Sequence, residues 1–106
     1  MFTGEESLLS FLGLAKKAGK LHLGFKITKH YINCKSAKLV LLASDLSQNS
    51  FKKLIKNENK VCTLKIKLTK ETIGNFFSEA SGILVVIDES FTFKILNIIK
   101  EAKLNF

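Results

Sequence analysis

Leu39-Val40-Leu41-Leu42-Ala43 and Ile83-Leu84-Val85-Val86-Ile87 are two five-residue aliphatic runs, and they decide the fold. Neither alternates with polar residues, so each reads as a strand buried on both faces. Both are far short of the roughly 20 apolar residues that cross a bilayer. A strand with two buried faces needs cover on each side, and the segments around these two supply it. Downstream of the first, Asp45 or Ser47 can cap a helix with Phe51, Leu54 and Ile55 inward and Lys52, Lys53 and Lys56 outward. Val61–Leu68 alternates, with Cys62, Leu64, Ile66 and Leu68 on one side and Thr63, Lys65 and Lys67 on the other. Lysines on a strand protect an exposed edge. Thr69 opens a helix from Lys70 to about Glu79, packing through Ile73, Phe76 and Phe77. Beyond the second run, Ser90 caps a last helix whose Phe91, Ile95, Ile98, Ile99 and Ala102 face the sheet.

Upstream, Thr3-Gly4-Glu5-Glu6 is a capping-box signature, and Leu8, Phe11, Leu12, Ala15 and Ala18 follow helical spacing up to Gly19. Lys20-Leu21-His22-Leu23 is a short alternating strand broken by Gly24. A second helix fits Phe25 to Lys35, with Ile27, Tyr31 and Cys34 as its apolar stripe and Thr28 and Ile32 beside it. Lys26, Lys29, His30 and Asn33 share the opposite face. Helices alternate with strands throughout. The expectation is an α/β protein: a three-layer α/β/α sandwich on a four-stranded mixed sheet, with about five helices, the two apolar strands central and the other two lateral. No proline, repeat or linker divides the chain, so residues 1–106 form one domain.

The charge is unevenly placed. The net charge is +8, and every basic residue is a lysine. Residues 7–70 hold 14 lysines against only Asp45 and Glu58, a net +12, while the rest of the chain nets −4. A lysine-rich genome would also scatter lysines over a solvated surface, yet it would not strip acids from one half alone. A one-sided positive field attracts polyanions. Lysine without arginine suits phosphate contact better than bidentate reading of guanine.

Little supports catalysis. His22 and His30 are the only histidines, and neither has the HxxxH or ExxH neighbour of a metal site. No phosphate-binding glycine loop of the Walker or dinucleotide type occurs. Cys34 and Cys62 are too few and too far apart for a disulfide framework or zinc ribbon, and read as buried, inert side chains on the second helix and third strand. The acidic N-terminus, with Glu5 and Glu6, is unlike a signal peptide. Expected, then, is a reduced, cytoplasmic protein with no catalytic residue, metal or cofactor.

The better candidate is Leu23-Gly24-Phe25-Lys26-Ile27-Thr28-Lys29-His30. A glycine opening a helix lets a phosphate approach free backbone N–H groups. Lys26, Lys29 and His30 stand on the exposed face of the first turns, with Lys20 just upstream. Lysines there are disfavoured by the helix dipole, so an anionic partner would rationalise them.

The same residues carry a family resemblance. Leu12–Leu21, Gly24, Ala37–Asp45 with Ser47, Asn49, Lys52 and Lys53, and Val85–Phe91 together resemble the bacterial YlxQ family, end to end in order and spacing. That family belongs to a ribosomal-protein superfamily of kink-turn RNA binders with an α/β/α fold. The resemblance implies a Gly-x-Asn-Glu motif at the start of the second helix that reads sheared G·A pairs, and a loop before the last strand that contacts an extruded nucleotide. Here the motif position reads Gly24-Phe25-Lys26-Ile27 and the loop Ala80-Ser81-Gly82-Ile83. Lys26 can meet a phosphate or an acceptor edge, whereas Ile27 cannot accept a hydrogen bond from guanine.

The expected function is non-catalytic binding of ribosomal or other structured RNA, with the ribosome as a partner, by a monomer that uses no membrane. The implied interface is Lys20, Gly24, Phe25, Lys26, Ile27, Lys29, His30, Ser81 and Gly82. The alternative is a protein-interaction module of the same fold that has lost RNA readout; exposure of Phe25 and Ile27 as an apolar patch would mark it.

Overall fold

The computed structural model describes residues 4–46, 61–79 and 81–105. In chain order it contains α1 (Gly4–Lys17), β1 (Leu21–Leu23), α2 (Phe25–Asn33), β2 (Leu39–Leu42), β3 (Cys62–Lys65), α3 (Lys70–Phe77), β4 (Ile83–Val86) and α4 (Glu89–Ala102). The result is an α/β fold with a four-stranded mixed sheet and, among the described residues, four helices packed on it. The further helix expected around Phe51–Lys56 lies outside the described residues, as does the capping residue Thr3.

The sheet order is β1-β4-β2-β3. β4 runs antiparallel to both β1 and β2, and β3 runs parallel to β2. The two apolar runs are therefore the central strands, and all eight of their residues are buried. Alternate side chains serve opposite faces. Leu39, Leu41, Leu84 and Val86 join Leu8, Leu12, Ile73, Phe77, Ile95 and Ile99 of α1, α3 and α4 in one core. Val40, Leu42, Ile83 and Val85 join Ile32 of α2 in the other.

Helix ends follow local chemistry. α1 stops at Gly19, which holds φ 75°, and Lys20 N–H reaches back to the Ala15 carbonyl at 2.9 Å. That six-residue closure needs a left-handed residue, for which glycine carries no Cβ penalty. Ala18 falls in this turn and is exposed rather than packed. α3 is capped by Thr69, whose hydroxyl accepts from Thr72 N–H at 3.1 Å, and it ends at Phe77 because Ser78 turns left-handed.

Four expectations need correction. Asp88, not Ser90, caps α4: its extended backbone leaves the carboxylate free to accept from Phe91 N–H at 3.1 Å. On α2 the fully buried residues are Thr28 and Ile32, while Ile27 is half-buried, so the inward stripe is rotated from the Ile27-Tyr31-Cys34 line. Both cysteines are exposed. Cys34 lies where the chain leaves α2, and Cys62 opens an edge strand whose cover grows only further along, through half-buried Leu64 to buried Ile66 and Leu68. The ladder with β2 stops at Lys65, after which Ile66 bridges to Asn105. Phe76, expected to pack, is 46% exposed.

Candidate nucleic-acid interface

Gly24 sits where β1 becomes α2. Its N–H donates to the Ile83 carbonyl at 3.0 Å, prolonging the β1–β4 pairing by one residue. The chain then swings into α2 at φ 124°, ψ 155°, a conformation open essentially to glycine alone. A Cβ added there would come no closer than 3.7 Å, to Ile27 Cγ2. The demand for glycine is therefore one of backbone conformation, not of space. No side chain caps the helix that follows, and its first turn contains no acid. Lys26 is exposed in that turn and Lys29 in the next.

The segment before β4 meets this corner through one atom. Ser81 Oγ donates to the Ile83 carbonyl at 3.1 Å, the same oxygen that receives the Gly24 N–H. Ser81 Oγ also accepts from Ile83 N–H at 3.2 Å. Two stretches nearly 60 residues apart are thus tied to one carbonyl. Between them opens a cleft of about 420 Å³ lined by Gly24, Phe25, Ser81 and Gly82 together with Leu46, Lys70 and Glu79. Gly82 is buried, and a Cβ on it would press to 3.1 Å on Leu46 and on the Lys70 side chain.

Residues 6–92 match the Ribosomal protein L7Ae/L30e/S12e/Gadd45 family. The chain belongs to that family. The L7Ae family is in general one of non-catalytic domains that bind structured RNA. In fold the chain is similar to a protein of unknown function from Bacillus halodurans, with TM-score 0.76 and 24% identity over 88% of this chain and 96% of that one. It is likewise similar to the Giardia lamblia 15.5 kD RNA binding protein, with TM-score 0.68 and 14% identity over 94% of this chain and 88% of that one. No curated protein matches the sequence.

Of the residues expected at the interface, this L7Ae-family chain brings Gly24, Phe25, Ser81 and Gly82 to one cleft, with Lys26 on the exposed face of the turn beside it. Lys20 is elsewhere. Its carbonyl accepts from Ile87 N–H at 2.9 Å at the far end of β1, about 13 Å of strand from Gly24. His30 is exposed further along α2, with its ring edge-on to Tyr31 and its Nε2 3.8 Å from Cys34 Sγ. His22 stacks on the same Tyr31, at 5.1 Å between ring centroids, with Nε2 3.4 Å from the Tyr31 hydroxyl. The histidines therefore flank a tyrosine rather than an acid. Asp88 is engaged as a cap, and Asp45 accepts from Lys70 N–H at 3.0 Å. Among the described residues, no group of three or more His, Cys, Asp or Glu is placed to hold a metal ion, and no helix is long and apolar enough to cross a membrane.

Phe25 and Ile27 are both half-buried, and Phe25 packs against the α2-side core. They do not form the apolar patch that would mark a protein-interaction module. Among the described residues, the exposed large apolar ones are Leu14, Phe76 and Phe93. Lys70 was missed by sequence reasoning although a signal existed: like Lys26, it is a lysine in the first turn of a helix, where the dipole opposes it.

Proposed function

We propose that this protein is a cytoplasmic, monomeric RNA-binding protein of the YlxQ kind, without catalytic activity, that engages ribosomal or other structured RNA through the start of α2 and the adjoining cleft. The observation that carries this is the shared Ile83 carbonyl, which sets an uncapped helix start beside a small-residue segment, with Lys26 and Lys70 at hand. A phosphate fits the free amides of the first turn. Lys26, Lys29 and Lys70 supply counter-charge, and an unstacked base fits the cleft against Phe25. Ile27 offers no acceptor for guanine, so recognition rests on the shape of the RNA and on its backbone.

The test is a salt-titrated binding assay with three RNAs: a kink-turn, the same kink-turn with its G·A pairs replaced, and a plain duplex. The kink-turn is expected to bind about tenfold more tightly than the duplex. Equal binding to all three, with a steep salt slope, would reduce recognition to charge alone. Changing Lys26→Glu and Lys29→Glu together should weaken binding about a hundredfold and flatten the salt slope by about 1.4–1.8. Both side chains are exposed, so the fold should survive the change. Wild-type affinity in that variant would place the interface elsewhere.

A further inference from the structure

The block Leu12–Leu21 is used only in part by the interface above. α1 and α3 lie on the sheet face opposite α2. Between them runs a second groove of about 670 Å³, lined by Gly13, Leu14, Lys16, Lys17, Phe76 and Phe77. Its floor exists because Gly13 has no side chain: a Cβ there would come within 3.0 Å of Phe76 Cε1. Phe76 therefore lies over the helix backbone and remains 46% exposed, and Leu14 beside it is 54% exposed. Both are large apolar side chains left facing water, side by side on one groove, whereas the third such residue among those described, Phe93, lies on α4 outside it.

The rim is positive. Lys16 Nζ sits 3.0 Å from Glu79 Oε2 and 5.7 Å from the centre of the Phe77 ring. Lys17 is exposed, and among the described residues no carboxylate pairs with it. Among the described residues, no acid lines the groove itself, Glu79 standing outside it against Lys16. We propose that this groove docks an acidic peptide segment of a partner protein, seating a large apolar side chain on Leu14 and Phe76 with neighbouring carboxylates on Lys17 and Lys16.

The charge pattern selects this occupant. A second copy of the chain would set one Lys17 against the other, each Lys16 being held by Glu79, and like charges facing each other oppose association. A nucleic-acid strand would find the lysines but poor stacking. One apolar wall is an aliphatic leucine, and the Phe76 ring is held edge-on to Phe77 at 77° and 5.0 Å, over Gly13. An acidic, apolar peptide satisfies both the floor and the rim. Because this face is opposite α2, such a partner and an RNA can be held together.

The test is selection of a random 12-residue peptide library on the immobilised protein, followed by affinity measurement with the strongest synthetic peptide. Enriched sequences should combine a large apolar residue with Asp or Glu. Leu14→Ser and Lys17→Glu should each weaken that peptide about tenfold. Glu79→Gln, which releases Lys16, should tighten it, and the Lys26→Glu, Lys29→Glu pair should leave it unchanged. Both groove positions are exposed, and thermal melting of each variant checks the fold. Absence of enrichment, enrichment of basic peptides, or loss of affinity in the α2 variant but not in Leu14→Ser would overturn the proposal. So would displacement of the peptide by oligouridylate that itself depends on Leu14.

Discussion

α4 and α2 begin in opposite ways. α4 has Asp88 accepting from Phe91 N–H and Glu89 in its first turn, so both its amides and its dipole are met by the chain itself. α3 follows the same pattern with Thr69 and Glu71. α2 has Gly24, no capping side chain, no acid, and Lys26 where an acid would be stabilising. The two self-sufficient helices are held by packing and capping alike. The third has no side-chain cap at all, and its start faces the cleft that Lys70, at the start of the capped α3, also lines. A helix end that forgoes local stabilisation beside a cleft is how a fold reserves backbone groups for a ligand.

The largest test of that contrast is Gly24→Ala. At φ 124° the added methyl strains the backbone even though it has room, so stability in urea should fall by about 2 kcal/mol. Gly19→Ala is the control. Its φ of 75° lies near the left-handed well, with nothing within 4 Å, and its cost should be about 1 kcal/mol. RNA affinity should drop only in the first variant. Equal costs would mean that the turn into α2 relaxes readily and that Gly24 is no anchor of the site.

A smaller effect is expected at the other helix. Asp88→Ala removes a cap and leaves Phe91 N–H without its acceptor, so stability should fall by about 1 kcal/mol. RNA affinity should not change. A loss of RNA binding there would show that capping and recognition are not divided between helices as the structure divides them.

The sheet was the most legible part of the chain. Two aliphatic runs without alternation, each too short for a buried helix, read as central strands, and residues 39–42 and 83–86 pair with each other as such. The charged face of α2 was legible for the same reason: Lys26, Lys29, His30 and Asn33 are held together by helical spacing alone. What spacing cannot give is cover. Cys62 is on the inward side by alternation, yet it is exposed at that end of the edge strand. Phe76 has a core residue's chemistry but rests over Gly13 at the rim. The cleft was half legible. Gly24 and Ser81 could be singled out separately, but their meeting at the Ile83 carbonyl depends on β1 pairing with β4. Lys20 looked adjacent in sequence, and three residues of strand carry it to the opposite end of the sheet.

The smallest predicted effect separates stability from function most cleanly. Lys26→Glu alone gives α2 the first-turn acid that α3 and α4 already have. The carboxylate would meet the positive end of the helix dipole, so stability should rise by about 0.3–1 kcal/mol at low salt. The gain should fade as salt approaches 1 M, where screening acts within about 3 Å. RNA affinity should move the other way, because one cation has become an anion at the site. A capping or packing role for Lys26 predicts lower stability in this variant, and a merely solvated lysine predicts no change in RNA binding. A more stable protein that binds RNA less well is the outcome that only a helix start reserved for an anion explains.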